Sequence, residues 1–175
     1  NQTISNPGTH TGSGNMTFNS NTSISFSGLN AAKAWFVLYY PPSGWNNGLL
    51  FSDGNSSSIY YATFHSSQTT AYYGGYSAHS GATIVNRVNG TNPGNNRQTA
   101  YNAMDISKMN SIIASGTNMT PGLVYNAYNS WSQLHYVRAM VFFDRELTLA
   151  EMESLHNHYR TNWLAAGGTM PTWGN

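Results

Sequence analysis

Cysteine is absent from this chain of 175 residues, and charged residues make up only 7% of it. Without cysteine no disulfide can staple the fold. Small eukaryotic ectodomains usually carry such staples, so the composition leans toward a bacterial or viral origin. Ordinary globular domains are roughly 25% charged. Here seven basic side chains are scattered along the chain and the net charge is +1. Phosphate recognition needs clustered Lys and Arg, so nucleic acid is not expected as a partner. Long apolar runs are missing too: none approaches the roughly 18 residues that span a bilayer, and no signal-peptide pattern is visible, so membrane insertion is not expected. A start at Asn1 rather than Met suggests a piece of a longer protein, and the terminal GGTMPTWGN reads as a tether or a processed end.

What the chain does have is aromatic and small polar surface. Aromatic residues make up 14%, with twelve Tyr, among abundant Asn, Ser, Thr and Gly. That mixture offers amphipathic contact area and adaptable hydrogen bonds, as recognition surfaces do, although an all-β core also uses aromatics. Sequons such as those at Asn15, Asn55 and Asn118 are expected by chance in this composition.

Residues 1–15 hold little to bury and read as an arm or edge segment. From Met16 to Phe26 alternation sets Phe18, Ser20, Thr22, Ile24 and Phe26 on one strand face. AWFVLYY (34–40) is a continuous apolar run of strand length, the mark of a strand buried on both faces. GLLFS (48–52), SIYYATF (58–64), TTAYY (69–73) and ATIVNRV (82–88) follow between turn residues, the last closed by Asn89-Gly90. Short strands at this spacing predict a β-sandwich. NGTNPGNNRQ reads as loop. MDISKMNSIIASG reads as a short helix with Ile106, Met109, Ile112 and Ile113 on one face, Asp105 as its cap and Gly116 as its end. LVYNA (123–127) and LHYVRAMVFF (134–143) return to strand, with no internal repeat.

The clearest local signal is a helix after Asp144-Arg145. Thr148 to Glu151 spells a capping box, and Leu147 with Met152 forms the matching hydrophobic staple. Leu149, Met152, Leu155 and Tyr159 then mark the face that docks.

VRAMVFFDRELTLAEMESLHNHY resembles the closing strand and helix of concanavalin A-like jelly rolls of the laminin-G type, through Phe143, Asp144, Arg145, Leu147, Thr148, Glu151, Leu155 and Tyr159. Upstream, ISFSGLNAAKAWFVLYY and NGLLFSDGNSSSIYYATF are similar to that family's opening strands. VNRVNG stands where the family often has a strand ending in Asp-Gly. The resemblance implies an all-β, two-sheet antiparallel jelly-roll sandwich with one short C-terminal helix, and glycan or protein binding. The expected layout is an arm over 1–15, the jelly-roll binding domain over 16–165 and a tail over 166–175. Asn89 departs from the family's Asp, and residues 91–121 look like an insertion. No acidic pair marks a calcium site. Asp53 and Asn55 could supply oxygen ligands, but one carboxylate in a turn is usually only a turn, so no cofactor is expected.

Glycoside hydrolases and polysaccharide lyases share this sandwich. Hydrolysis needs two facing carboxylates. Of six acids, Glu151 belongs to the cap, Asp144 to the turn, Glu146 and Glu153 to solvent and Asp105 to a cap, which leaves Asp53 alone. A lyase could use His and Tyr. His156 and His158 are two apart on a helix and point to different faces, so His65 and His79 are the pair nearest a plausible site. No catalytic residue is expected.

A ligand would instead meet uncharged aromatic loops. PPSGWNNG offers Trp45 as a sugar platform beside Asn46 and Asn47, with packing over the core edge as the alternative for Trp45. AYYGGYSAHSG offers Tyr72, Tyr73, Tyr76 and His79 on a Gly-hinged loop. NPGNNRQ and YNAYNSW offer Arg97 and Trp131 as anchors, with packing against sister chains as the alternative. Uncharged, cysteine-free β modules of this composition resemble the distal domains of bacteriophage tail fibres. The reading is therefore the receptor-binding tip of such a fibre, in the virion, taking bacterial surface polysaccharide or an outer-membrane protein and assembling as a homotrimer. A carbohydrate-binding module or adhesin domain of a secreted bacterial protein, an enzyme on the same scaffold and a purely structural fibre module are the alternatives.

Overall fold

The computed structural model describes residues 2–5, 9–10, 16–18, 23–26, 32–41, 44, 47–52, 60–69, 84–116, 124–125 and 135–174, with side chains over 32–41, 44, 64–69, 84–116 and 137–174. The described strands are β1 (Gln2–Ser5), β2 (Thr9–His10), β3 (Met16–Phe18), β4 (Ser23–Phe26), β5 (Ala34–Tyr40), β6 (Asn47–Ser52), β7 (Tyr60–His65), β8 (Val85–Val88), β9 (Asn110–Ser115), β10 (Val124–Tyr125) and β11 (His135–Phe143). Two helices accompany them, α1 (Arg97–Asn102) and α2 (Leu149–Ala165). All the strand pairings are antiparallel. The fold rests on four strands in the order β11-β5-β9-β8, extended beyond β11 by β3 and β2; the remaining strands pair in the order β1-β4-β10-β6-β7.

β5 shows why that sheet forms. Every residue from Ala34 to Leu38, and Tyr39, is at most 1% exposed. Trp35, Val37 and Tyr39 enter one core cluster, shared with Phe64, Val88, Ile112 and Ala114. Ala34, Phe36 and Leu38 enter a second, shared with Met152, Leu147 and Met170. Alternation thus feeds two apolar layers from one strand, as the continuous apolar run predicts. On β11 the register slips between Val137 and Ala139, which face Tyr39 and Leu38. Arg138 is the extra residue of that bulge, and its guanidinium lies 4.6 Å from the centre of the Trp163 ring.

α2 carries the expected N-terminus. Thr148 Oγ1 accepts from Glu151 N–H at 3.3 Å while Glu151 Oε2 accepts from Thr148 N–H at 2.8 Å. Leu147 and Met152 are buried together, and Tyr159 stacks on Phe36 at 4.7 Å. Leu149 is the exception: it is 49% exposed, because the docking face runs through Met152, Leu155, His156 and Tyr159 instead.

Several expectations are corrected. MDISKMNSIIASG is not a helix: Asn110–Ser115 is strand β9, buried at every position. Ile112 and Ile113 fall on opposite faces, one in each core cluster. The run is a doubly buried strand of the kind that helical periodicity imitates over a few residues. Asp105 accordingly caps no helix; its Oδ1 accepts from Ser107 N–H and Oγ–H in a turn. The actual helix is α1, which starts at the end of the stretch read as loop and runs on to Asn102, with Asn96 as its N-cap. Part of residues 91–121 thus belongs to the central sheet, since β9 stands between β5 and β8. Met16–Phe26 is not one strand either: β3 pairs with β11, whereas β4 pairs with β1 and β10. The C-terminal helix, at 17 residues, is not short.

The C-terminal segment is no loose tether. Residues 166–174 form a strap that runs back over α2 to the β8 turn. Thr169 O accepts from Met109 N–H and Gly174 N–H donates to Asn89 O, and Met170 is buried. Asn89 itself stands at φ 50, a left-handed conformation that Asn tolerates. Its Oδ1 accepts from Ser111 N–H and its Nδ2 donates to Asn110 Oδ1 and Ala103 O. An Asp there could not donate these two bonds.

Candidate functional site

Of the residues expected to meet a ligand, Arg97 alone has a described side chain. Asn47 is placed by its backbone. Trp45, Asn46, Tyr72, Tyr73, Tyr76, His79 and Trp131 lie outside the described residues, as do Asp53 and Asn55.

Asn47 opens β6 and pairs with His65, which closes β7. The chain leaving β7 is then tied to the N-terminal end of α1. Arg97 Nη1 donates to Gln68 Oε1 at 3.2 Å, Gln98 Nε2 to Ser66 O at 3.1 Å, and Asn96 Nδ2 to Thr69 O at 3.3 Å. Asn96 Oδ1 meanwhile accepts from Thr99 N–H at 3.0 Å as the helix cap. Two separate stretches of sequence, residues 65–69 and 96–98, thus converge on one half-exposed polar cluster, with the backbone of the start of β6 paired alongside.

His65 is fixed within it. Its Nδ1 accepts from Ser67 N–H and Gln68 N–H, both at 3.1 Å. Two donors aimed at Nδ1 leave the ring proton on Nε2. Partial burial lowers the imidazole below its ordinary value, and the Arg97 charge adds to that effect. The neutral ring therefore presents an Nε2–H donor, next to guanidinium and amide groups that donate and accept. Such a set can hydrogen-bond hydroxyl or carboxylate oxygens.

Several other reactive groups among the described residues are tied up in the fold. Asp105 is held at about 2 by Lys108 first and Ser107 second, with a Lys108 Nζ–Asp105 Oδ2 distance of 2.6 Å. Glu151 is held at about 2 by Arg145 first and by Thr148. Ser111 Oγ lies 2.6 Å from His156 Nδ1, the spacing of a nucleophile and its base. Both residues are 0% exposed, and His156 Nε2 is spent on Pro171 O at 3.1 Å, so the pair reads as structural. No group of three or more His, Asp or Glu that could hold a metal occurs among the described residues. No helix among them is long and apolar enough to cross a membrane.

The sequence signal for this cluster was partial. Arg97 and His65 stood out by residue type. Gln68, Asn96 and Gln98 did not, because α1 was not foreseen and amides in an Asn-rich chain carry no contrast. No family model, curated protein or solved structure matches the chain.

Proposed function

We propose that this chain is a non-catalytic recognition domain for bacterial surface glycan, built as a two-sheet concanavalin A-like jelly roll and serving as the receptor-binding tip of a phage tail fibre. The observation that carries the recognition reading is the cluster formed by His65, Gln68, Asn96, Arg97 and Gln98, where donors and acceptors from two chain segments meet at one partly exposed place. Sugar hydroxyls are read by such convergent amide, imidazole and guanidinium groups. Trp45 and Asn46 directly precede Asn47 in the chain, so an aromatic platform can join the same site.

Support for the jelly roll comes from Phe64 on β7, which shares a core cluster with Trp35, Val37 and Val88 of the other set of strands, as facing sheets would. Support for the fibre reading is compositional: no cysteine, few charges, many Tyr and Asn. The non-catalytic reading rests on the acids, two of which are bound in ion pairs with Lys108 and Arg145.

The test is glycan-array and whole-cell binding by the parent and by Trp45→Ala, Tyr76→Ala, Arg97→Ala and Gln98→Ala variants. Loss of binding in the Arg97 or Gln98 variant supports this site. Parent-like binding by all four sinks it, and product release from a polysaccharide would replace a binder by an enzyme. Sedimentation of the free domain decides between trimer and monomer.

A further inference from the structure

Three side chains on one face of α2 hold the strap through three successive carbonyls. Trp163 Nε1 donates to Thr169 O at 3.0 Å, Arg160 Nε to Met170 O at 3.2 Å, and His156 Nε2 to Pro171 O at 3.1 Å. Trp173 then lies edge-on to the His156 ring, 5.3 Å between centres. The strap leaves α2 through Gly167 at φ +82, a conformation that glycine adopts without strain and that makes a natural hinge. Of the three donors, the Trp indole and the Arg guanidinium keep their protons at any ordinary pH. His156 can change.

We infer that the strap is a pH-gated clasp: it stays closed while His156 is neutral, and acidification opens it, releasing Trp173 and the α2 face beneath. In the closed state Ser111 Oγ–H donates to Nδ1 and Nε2–H donates to Pro171 O, which is the hydrogen-bond pattern of one neutral tautomer. A proton on Nδ1 would force the Ser111 hydroxyl to turn and accept. It would also place a charge at a position that is 0% exposed, where ionisation is disfavoured.

Among the described residues the surroundings offer that charge no relief. Arg160 on α2 acts on the ring with the same sign. Arg87 on β8 and Arg138 on the β11 bulge are the charged side chains of the neighbouring strands, and both are cations. β9 supplies Ser111, and neither β9 nor residues 166–174 contains an ionisable side chain. Glu153 and His158, also on α2, are exposed. Opening the strap hydrates the ring and removes the penalty. Burial holds the closed-state ring at about 4, against an ordinary value of 6.5. The open state therefore gains about tenfold per pH unit as pH falls through that window, and nothing above it.

Amide hydrogen exchange on the full chain tests this. The amides that report on the strap are Met109, bonded to Thr169 O, and Gly174, bonded to Asn89 O; those of Ile112 and Ile113 in β9 are the reference. Between pH 6.5 and 4.5, after correction for intrinsic exchange, protection of the Met109 and Gly174 amides should fall about 40-fold while the reference holds. His156→Gln, which keeps a donor but cannot titrate, should abolish the fall. Strap amides that track the reference at every pH overturn the clasp, as does a fall that survives in the Gln variant. Should that variant not fold, NMR titration of the parent decides. A His156 ring titrating near pH 4 together with the Trp173 resonances supports the clasp; a ring titrating near 6.5 with strap amides still protected overturns it.

Discussion

Along β9, polar side chains are buried and matched. Asn110 alone donates from Nδ2 to Asp105 O and Lys108 O and accepts at Oδ1 from Asp105 N–H and Asn89 Nδ2–H, and Ser115 Oγ accepts from Leu147 N–H. At the β7–α1 corner the hydrogen bonds are as numerous but half in water, and they join side chains to loop carbonyls. Buried networks of the first kind specify a fold, because each member leaves a costly orphan if its partner goes. Partly wet bonds of the second kind add little stability and remain able to exchange partners. One region is closed to water and the other is partly open to it.

Substitutions should divide along that line. Trp35→Ala, in the middle of the buried sheet, removes a side chain that is 0% exposed and should cost about 3–5 kcal/mol in urea melts. Asn110→Ala should cost about 2–3 kcal/mol by stranding the Asn89 amide and the Asp105 N–H. Gly90→Ala is more selective: a Cβ there would lie 2.2 Å from Gly174 O and 2.7 Å from the Trp173 ring. It should displace the end of the strap, read as lost protection of the Gly174 amide, with β9 amides unaffected. Thr148→Ala should cost about 1 kcal/mol as a lost cap.

Acid should separate the regions too. Asp105 and Glu151, both depressed to about 2, contribute stability that is present above the ordinary carboxylate range and is lost as pH falls toward 2. His156 acts earlier, between about 6.5 and about 4. Two acid phases are expected in a stability–pH profile, and His156→Gln should erase only the upper one.

How much of this was legible in the sequence follows from the same contrast. The α2 cap and staple were readable because their partners lie within five residues. β5 was readable because seven apolar residues in a row have few other uses. β9 was misread because NSIIAS is too short for its period to tell strand from helix, and its neighbours β5 and β8 are distant in the chain. His156 looked like one more histidine on a polar helix. Nothing local reveals that Ser111, 45 positions away, and Pro171 enclose it. The Trp45 and Tyr76 loops remain readings of residue type, while Arg97 gained neighbours that only a folded α1 could provide.

The finest test of the contrast is at that corner. Arg97→Ala removes an exposed bond to Gln68 and Gln98→Ala a partly buried one to Ser66, so each should change stability by no more than about 0.5 kcal/mol. Removing the Arg97 charge should also raise the His65 imidazole toward its ordinary value, since that charge is one of the two causes holding it down; NMR titration of the His65 ring reads this directly. If binding to the cognate glycan falls tenfold or more in these variants while melting is unchanged, the corner carries recognition without carrying the fold. A loss of stability comparable to that of Asn110→Ala would instead place the corner with the buried network, and the division drawn between the two regions would fail.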